Sequence, residues 1–191
     1  MNKYLEVSEF IDWDQPEIIE LAKLLAADKQ CDADIAKACF EWVRDEVKHS
    51  WDYMLNPVTC KASDVLKHGT GYCYAKSHLL AALLRANKIP AGLCYQRLSI
   101  NDDAAPYSLH GLNAVYLKDL GWYRIDARGN KQGVDAQFMP PNEQLAFPIN
   151  QENEKDFSDI LVEPHKAVIE VLTNHLTVKD VFEHLPDAVE L

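Results

Sequence analysis

A cysteine placed directly after a glycine-rich turn, at the start of a strongly helical segment, constrains this chain more than any other sequence feature. Residues 69–71 contain two glycines that make a tight turn, and Cys73 then opens a segment rich in alanine and leucine that runs to about Ala86. The unpartnered N–H groups and positive dipole end of a helix favour an anion, so a thiol at that position is biased toward thiolate. Because thiolate attacks carbonyl carbon, Cys73 is a candidate nucleophile.

A nucleophile of this kind needs a base and a group that orients the base, and two later segments supply them. Residues 110–117 and 121–127 have the alternating pattern of strands, and a short connection joins them as a hairpin. In an antiparallel hairpin, residues near the start of the first strand lie opposite residues near the end of the second. We therefore predict that His110, as the base, is a neighbour of Asp126, which orients it.

Length and charge narrow the class of protein. The 191 residues, of which 48% are hydrophobic, are enough for one well-buried core. A formal net charge of −11 argues against binding to nucleic acid or to an anionic membrane surface, since both are polyanions. We predict a catalytic domain with N-terminal helices at residues 1–150. Residues 151–191, which hold three lysines against ten acidic residues, are predicted to be an extension packed on the same domain.

The start of the chain and its cysteines indicate a reducing compartment. Residues 1–6 lack a basic region followed by an apolar run, and no stretch is long enough to span a bilayer, so we expect a cytoplasmic protein. The five cysteines are widely spaced and form no C-x-x-C pair, so neither disulfides nor a structural zinc site is expected. No metal or other cofactor is predicted. Cys31 and Cys39 are interpreted as buried or half-buried apolar residues.

Local patterns predict the remaining elements. Capping residues and apolar periodicity indicate helices before the nucleophile and in the acidic extension, and Asn87 is interpreted as the left-handed end of the nucleophile helix. The predicted elements are helices at about 14–27, 35–47 and 63–69, a strand starting at 91, a polar loop at 101–106, and helices at 164–172 and 177–185.

These motifs together resemble the transglutaminase-like superfamily, a branch of the papain-like cysteine enzymes. Its members have a Gly-x-Cys that opens a helix, an Arg-Ala-x-x-Ile-Pro-Ala-like end to that helix, a His that starts a strand, and a Gly-Trp…Asp strand. The matching residues are 71–73, 85–91, His110, and 121–126, and the resemblance covers about residues 35–135. It implies an α+β fold with a papain/transglutaminase-like core, in which the nucleophile helix packs on an antiparallel β-sheet. This chain has Gly111-Leu112 where many members have Ala-Trp.

The resemblance implies a cysteine-dependent acyl-transfer enzyme with a Cys-His-Asp triad that acts on a peptide or protein substrate. Cys73 would form a thioester with the acyl group, and hydrolysis by water is favoured because small relatives without extra β-domains look like peptidases or amidases. Transamidation, as in a protein-glutamine gamma-glutamyltransferase, is the alternative acceptor reaction. A peptide N-glycanase would be expected to carry paired C-x-x-C zinc motifs, which this chain lacks.

Two points stay open in the sequence. An oxyanion hole needs a second donor besides the backbone N–H of Cys73, and the candidates are the upstream side chains of Tyr53 and Trp51. The alternative from another class is a non-catalytic binding scaffold with a transglutaminase-like fold. It stays open because a fold does not determine activity.

Overall fold

The helix that begins at Cys73 packs against an antiparallel sheet, which confirms the predicted α+β class. The computed structural model describes residues 1–101 and 105–191, so part of the predicted loop at 101–106 lies outside the described residues. The helices, after a 3-10 turn at Asn2–Leu5, are α1 (Pro16–Ala26), α2 (Asp32–Glu46), α3 (Ser50–Tyr53), α4 (Ala62–His68), α5 (Cys73–Ala86), α6 (Lys166–Asn174) and α7 (Val178–Glu183). The strands are β1 (Lys48–His49), β2 (Thr70–Gly71), β3 (Ala91–Ser99), β4 (Tyr107–Leu117), β5 (Gly121–Ile125), β6 (Gln137–Met139), β7 (Asn142–Gln144) and β8 (Lys155–Asp156).

Helix α5 is buried along nearly its whole length. Helices α1, α2 and α4 and strands β3 and β4 contact it, and every residue from 73 to 85 is buried. Several of its polar side chains donate hydrogen bonds to backbone carbonyl oxygens of neighbouring segments. Lys76 Nζ donates to the carbonyl of Val47, and His78 Nδ1 donates to the carbonyl of Cys60 at 2.7 Å. A helix held in this way fixes the position of the cysteine at its start.

The main sheet has the strand order β5-β4-β3-β8 and confirms the predicted hairpin. Strand β5 pairs with β4 only from Asn113 to Leu117, so the first half of β4 extends past the end of β5. His110 lies in that extension, where Gln96 of β3 is its partner across the sheet. Asp126 is the first residue after β5. The end of the hairpin therefore brings the histidine and the aspartate together.

Residues 151–191 run along the same core. Leu161 exchanges two backbone hydrogen bonds with Leu93 of β3, each 2.8 Å long. Helix α7 begins after Thr177, whose side chain accepts the N–H of Asp180, as the capping pattern predicts. No helix in the described residues combines the length and apolar character needed to cross a membrane.

Two local predictions are wrong. Cys31 is exposed, because it lies just before α2 and is not part of the buried face of that helix. Asn87 has φ −83°, and the left-handed residue is Lys88, with φ 63°. The amide of Asn87 instead donates to the carbonyls of Leu83 and Ala22, so this side chain links α5 to α1.

Candidate active site

Cys73 is the first residue of α5, and one residue, Tyr72, separates it from the end of strand β2. Gly71 is needed at that junction, since a Cβ atom there would lie 3.0 Å from the Cβ of Ala75. The Cys73 side chain is mostly covered, with 8% of the residue exposed. The backbone N–H of Gly111 on β4 donates to its Sγ at 3.5 Å. The sulfur therefore lies between the start of a helix and a strand that carries the histidine.

His110 and Asp126 are in direct contact. His110 Nε2 lies 2.7 Å from Asp126 Oδ2. The Asp126 carboxylate is fully buried and also accepts the backbone N–H groups of Arg128 and Ala146, each at 3.1 Å. Burial opposes ionisation of this carboxyl group, but the charge of His110 and these hydrogen bonds outweigh it, so the pKa of Asp126 is lowered. Three donors thus fix both the charge and the orientation of the carboxylate.

The imidazole of His110 is held in its protonated form. Burial disfavours that form, but the negative charge of Asp126, the charge of Cys73 and hydrogen bonds with both residues raise the pKa of His110 to about 10. Because Asp126 engages Nε2, Nδ1 is the ring nitrogen left to interact with Cys73. The ring of Phe147 lies edge-on to the imidazole, with 5.0 Å between the ring centres. The structure therefore brings together the three side chains that the sequence singled out.

A cleft of about 280 Å³ opens over Cys73 and His110. Trp51 lines this cleft, whereas Tyr53 is 60% exposed and lines a separate cavity beside Lys76. Of the two side chains considered as oxyanion donors, only Trp51 therefore lies in the same cleft as the cysteine. The remaining lining is mainly apolar, and Phe182 and Leu185 contribute to it.

Sequence reasoning missed His49 and Arg128, which also line the cleft. His49 lies on the two-residue strand β1, where its partner is Gly71, and its buried Nδ1 has no hydrogen-bond partner. Burial and the nearby positive charge of Arg128 hold the pKa of His49 well below its usual 6.5, so this imidazole is neutral at pH 7. The only signal in the sequence was its place two residues before Trp51, because a strand of two residues has no periodicity.

Arg128, which lines the cleft, belongs to a cluster of three charged side chains. The guanidinium of Arg128 forms two hydrogen bonds with Asp52, of 2.6 and 3.0 Å. Lys131 Nζ donates to the same carboxylate at 2.7 Å. Burial opposes the ionisation of Asp52, but these two cations outweigh it and lower the pKa of Asp52 to about 2. Within residues 1–101 and 105–191, no group of three or more His, Cys, Asp or Glu side chains is arranged to hold a metal ion.

Comparison with known proteins shows the family of this chain. The model of the transglutaminase-like superfamily matches residues 19–127, more than half of the chain and including all three clustered side chains. A candidate cysteine protease of Cytophaga hutchinsonii has a similar structure, with a TM-score of 0.52 and 22% identity over 65% of this chain and 40% of that protein. The periplasmic domain of TgpA from Pseudomonas aeruginosa has a TM-score of 0.47 and 19% identity, over 65% of this chain and 45% of that domain.

This chain thus spans less than half the length of either structure. None of the curated proteins compared with the chain matches it. At 22% identity or less, the likeness to solved structures shows a shared fold only. The family model instead matches the amino-acid sequence, over residues 19–127. The chain belongs to the transglutaminase-like superfamily of cysteine enzymes and has its papain-like α+β core.

Proposed function

We propose that this chain is a cysteine-dependent acyl-transfer enzyme that hydrolyses a peptide or amide bond. The observation that carries the proposal is the buried contact of His110 with both Cys73 and Asp126 beneath a cleft. An imidazolium beside a thiol favours the thiolate, and a buried carboxylate behind the imidazolium stabilises its charge. The three groups therefore have the chemical properties that a nucleophile, its proton carrier and an orienting residue require.

In the first half of the proposed reaction, the Cys73 thiolate attacks the amide carbonyl carbon. A C–S bond forms, and the carbonyl electrons move onto oxygen. When the carbonyl forms again, the C–N bond breaks, and His110 gives its proton from Nδ1 to the leaving amine. The products are a free amine, a thioester on Cys73 and a neutral His110.

In the second half, water replaces the amine. Neutral His110 takes a proton from water through Nδ1, and the hydroxyl group attacks the thioester carbonyl. The C–S bond then breaks, which releases a carboxylic acid and restores the thiolate beside the imidazolium. Asp126 stays ionised throughout and keeps the imidazole in the required orientation.

The negative oxygen formed in both halves needs hydrogen-bond donors. The backbone N–H of Cys73 belongs to the first turn of α5, where such groups have no partner within the helix. We propose the indole N–H of Trp51 as the second donor, since Trp51 lines the cleft and an indole nitrogen can only donate. Tyr53 has no part in this proposal because it lies outside the cleft.

The proposal is tested by thiol labelling and by turnover of a peptide library. A small electrophile such as iodoacetamide should alkylate Cys73 faster than the exposed Cys31, which serves as a comparison within the same molecule. His110→Ala should slow this labelling and reduce turnover by about 10³-fold or more, and Cys73→Ala should abolish turnover. His68→Ala, which changes an exposed histidine away from the cleft, is the matched control.

Mass spectrometry of the products decides between the acceptors. Hydrolysis gives a carboxylic acid whether or not a primary amine is added, whereas a product formed only with added amine identifies transamidation. If Cys73 and Cys31 react equally fast and His110→Ala changes neither rate, the chain is a non-catalytic scaffold.

A further inference from the structure

Part of the cleft wall comes from outside the residues that the family model matches. Phe182 in α7 and Leu185 just after it line the cleft over Cys73, whereas the match ends at residue 127. We propose that these two side chains and Trp51 form an apolar subsite, which selects substrates with a large apolar side chain on the acyl side of the scissile amide. The inference rests on the proposed function, since it names the substrate class of that site.

Hydrogen bonds fix the segment that carries Phe182 and Leu185 relative to Cys73 and His110. The hydroxyl of Tyr72 donates to the carbonyl of Val178 at 2.6 Å, and the N–H of Leu109 donates to the carbonyl of Pro186 at 2.7 Å. Tyr72 directly precedes Cys73, and Leu109 directly precedes His110. The N–H of Val178 also donates to the side chain of Asn56 at 2.8 Å. The start of α7 and the segment that follows this helix are therefore positioned by the residues that precede Cys73 and His110.

The surface that this wall presents to the cleft is aromatic and aliphatic. The rings of Trp51 and Phe182 are stacked, with 3.7 Å between their centres and 3° between their planes. Phe182 and Leu185 are half-buried, so part of each side chain stays accessible in the cleft. Covering that remaining area with an apolar group removes it from water, which favours binding.

The charged side chains in the lining already have partners. Arg128 is bonded to Asp52 through two nitrogens, as described above. Glu154 accepts the backbone N–H groups of Ser99, Asn150 and Gln151, at 3.0, 2.8 and 3.1 Å. A charged substrate side chain would have to compete with these contacts and lose its own hydration, and both effects oppose binding. Neither effect opposes the binding of an apolar side chain.

The acyl side is where such a subsite has most effect. The acyl group stays bound to Cys73 after the amine has left, so a contact with its side chain acts on both halves of the reaction. The volume of about 280 Å³ lies just below the usual range for ligand pockets, which begins at roughly 300 Å³, so the cleft suits a short segment.

The test uses labelling probes that need no turnover. Chloromethyl ketones of N-acetyl-leucine, N-acetyl-phenylalanine, N-acetyl-aspartate and N-acetyl-lysine place each side chain on the acyl side of the reacting carbon. Labelling of Cys73 is followed by mass spectrometry, and each rate is divided by the iodoacetamide rate of the same variant. We expect the leucine and phenylalanine probes to react at least about 10-fold faster than the charged probes.

Phe182→Ala should reduce this preference by about 10-fold, and Phe182→Leu should keep most of it. Leu176→Ala, which truncates a side chain that is 84% exposed just before α7, is the matched control and should leave the preference unchanged. Equal rates for apolar and charged probes, or a preference that survives in Phe182→Ala, would overturn the inference. Selective labelling without any hydrolysis would instead support the subsite and contradict only the proposed function.

Discussion

The proton on His110 is held by neighbouring charges, since the imidazole has little contact with water. Burial alone would lower its pKa, yet Asp126 and Cys73 raise the pKa from 6.5 to about 10. A group whose folded pKa is raised stabilises the fold fully below its unfolded pKa and loses that effect as the pH rises through the folded pKa. The stabilisation from His110 is therefore complete below pH 6.5 and lost between pH 6.5 and about 10.

Asp126→Asn tests this account. It removes the charge that favours the imidazolium but retains one oxygen, which can keep one of the two backbone N–H contacts. We expect the pKa of His110, measured by NMR titration of its ring, to fall by several units. Denaturant unfolding should show the variant less stable than the parent at pH 6.5, with the difference narrowing as the pH rises toward 10. Asp119→Asn, in the exposed turn between β4 and β5, should change neither quantity.

Helix α5 approaches strand β4 closely at the point where the candidate site is assembled. A Cβ atom on Gly111 would lie 3.0 Å from the Cα of Tyr74 and 3.2 Å from its backbone nitrogen. The hydroxyl of Tyr74 donates to the carbonyl of Leu109 in the same strand. The absence of a side chain at Gly111 thus sets the distance between the element that carries Cys73 and the element that carries His110.

Gly111→Ala should therefore separate these two elements by a few tenths of an ångström. Overpacking of this kind costs about 1–3 kcal/mol, which we expect as a loss in the free energy of unfolding. Because the N–H of Gly111 also donates to Cys73 Sγ, alkylation of Cys73 should slow in the folded variant. Lys118→Ala, on the exposed turn after β4, is the control for both measurements. An unchanged stability together with an unchanged labelling rate would show that the helix and strand adjust freely.

A buried arginine joins an N-terminal segment and a C-terminal segment to the core. Arg85, on α5, donates to the carbonyl of Glu6 at 3.0 Å and to that of Val162 at 2.6 Å. It also donates to the carbonyl of Ala91 through two nitrogens, at 3.1 and 3.0 Å. Only a planar guanidinium has donors that diverge enough to satisfy all three carbonyls.

Arg85→Lys should consequently destabilise the whole protein. At least one buried carbonyl would lose its donor, and we expect the free energy of unfolding to fall by about 2 kcal/mol or more. Hydrogen exchange should increase near residues 6 and 162. The matched control is Arg97→Lys, because Arg97 makes its double contact with exposed Asp187 near the surface and should cost about 1 kcal/mol or less. Equal losses in the two variants would contradict the structural role of Arg85.

The features that the sequence predicts are those with a local signal. Capping residues and apolar periodicity locate the main helices, and the alternation of two neighbouring strands predicts the contact of His110 with Asp126. Asn87 was misjudged and His49 was missed because their contacts depend on segments distant in sequence, whereas Cys31 was misjudged because it lies one residue outside the helix to whose buried face it was assigned. The same is true of Phe182, since no short pattern shows which surface a six-residue helix will cover.

The hydrogen bonds that hold α7 over the cleft have a consequence for folding. The contact of Tyr72 with Val178 joins residues 106 positions apart, and that of Asn56 with Val178 joins residues 122 positions apart. Closing loops of this length costs more chain entropy than forming a hairpin or a helix, so we expect such contacts to form late in folding. On this expectation, helix α5 forms before the wall above its first residue is complete. The discrimination among substrates that we infer is therefore a property of the completed native state.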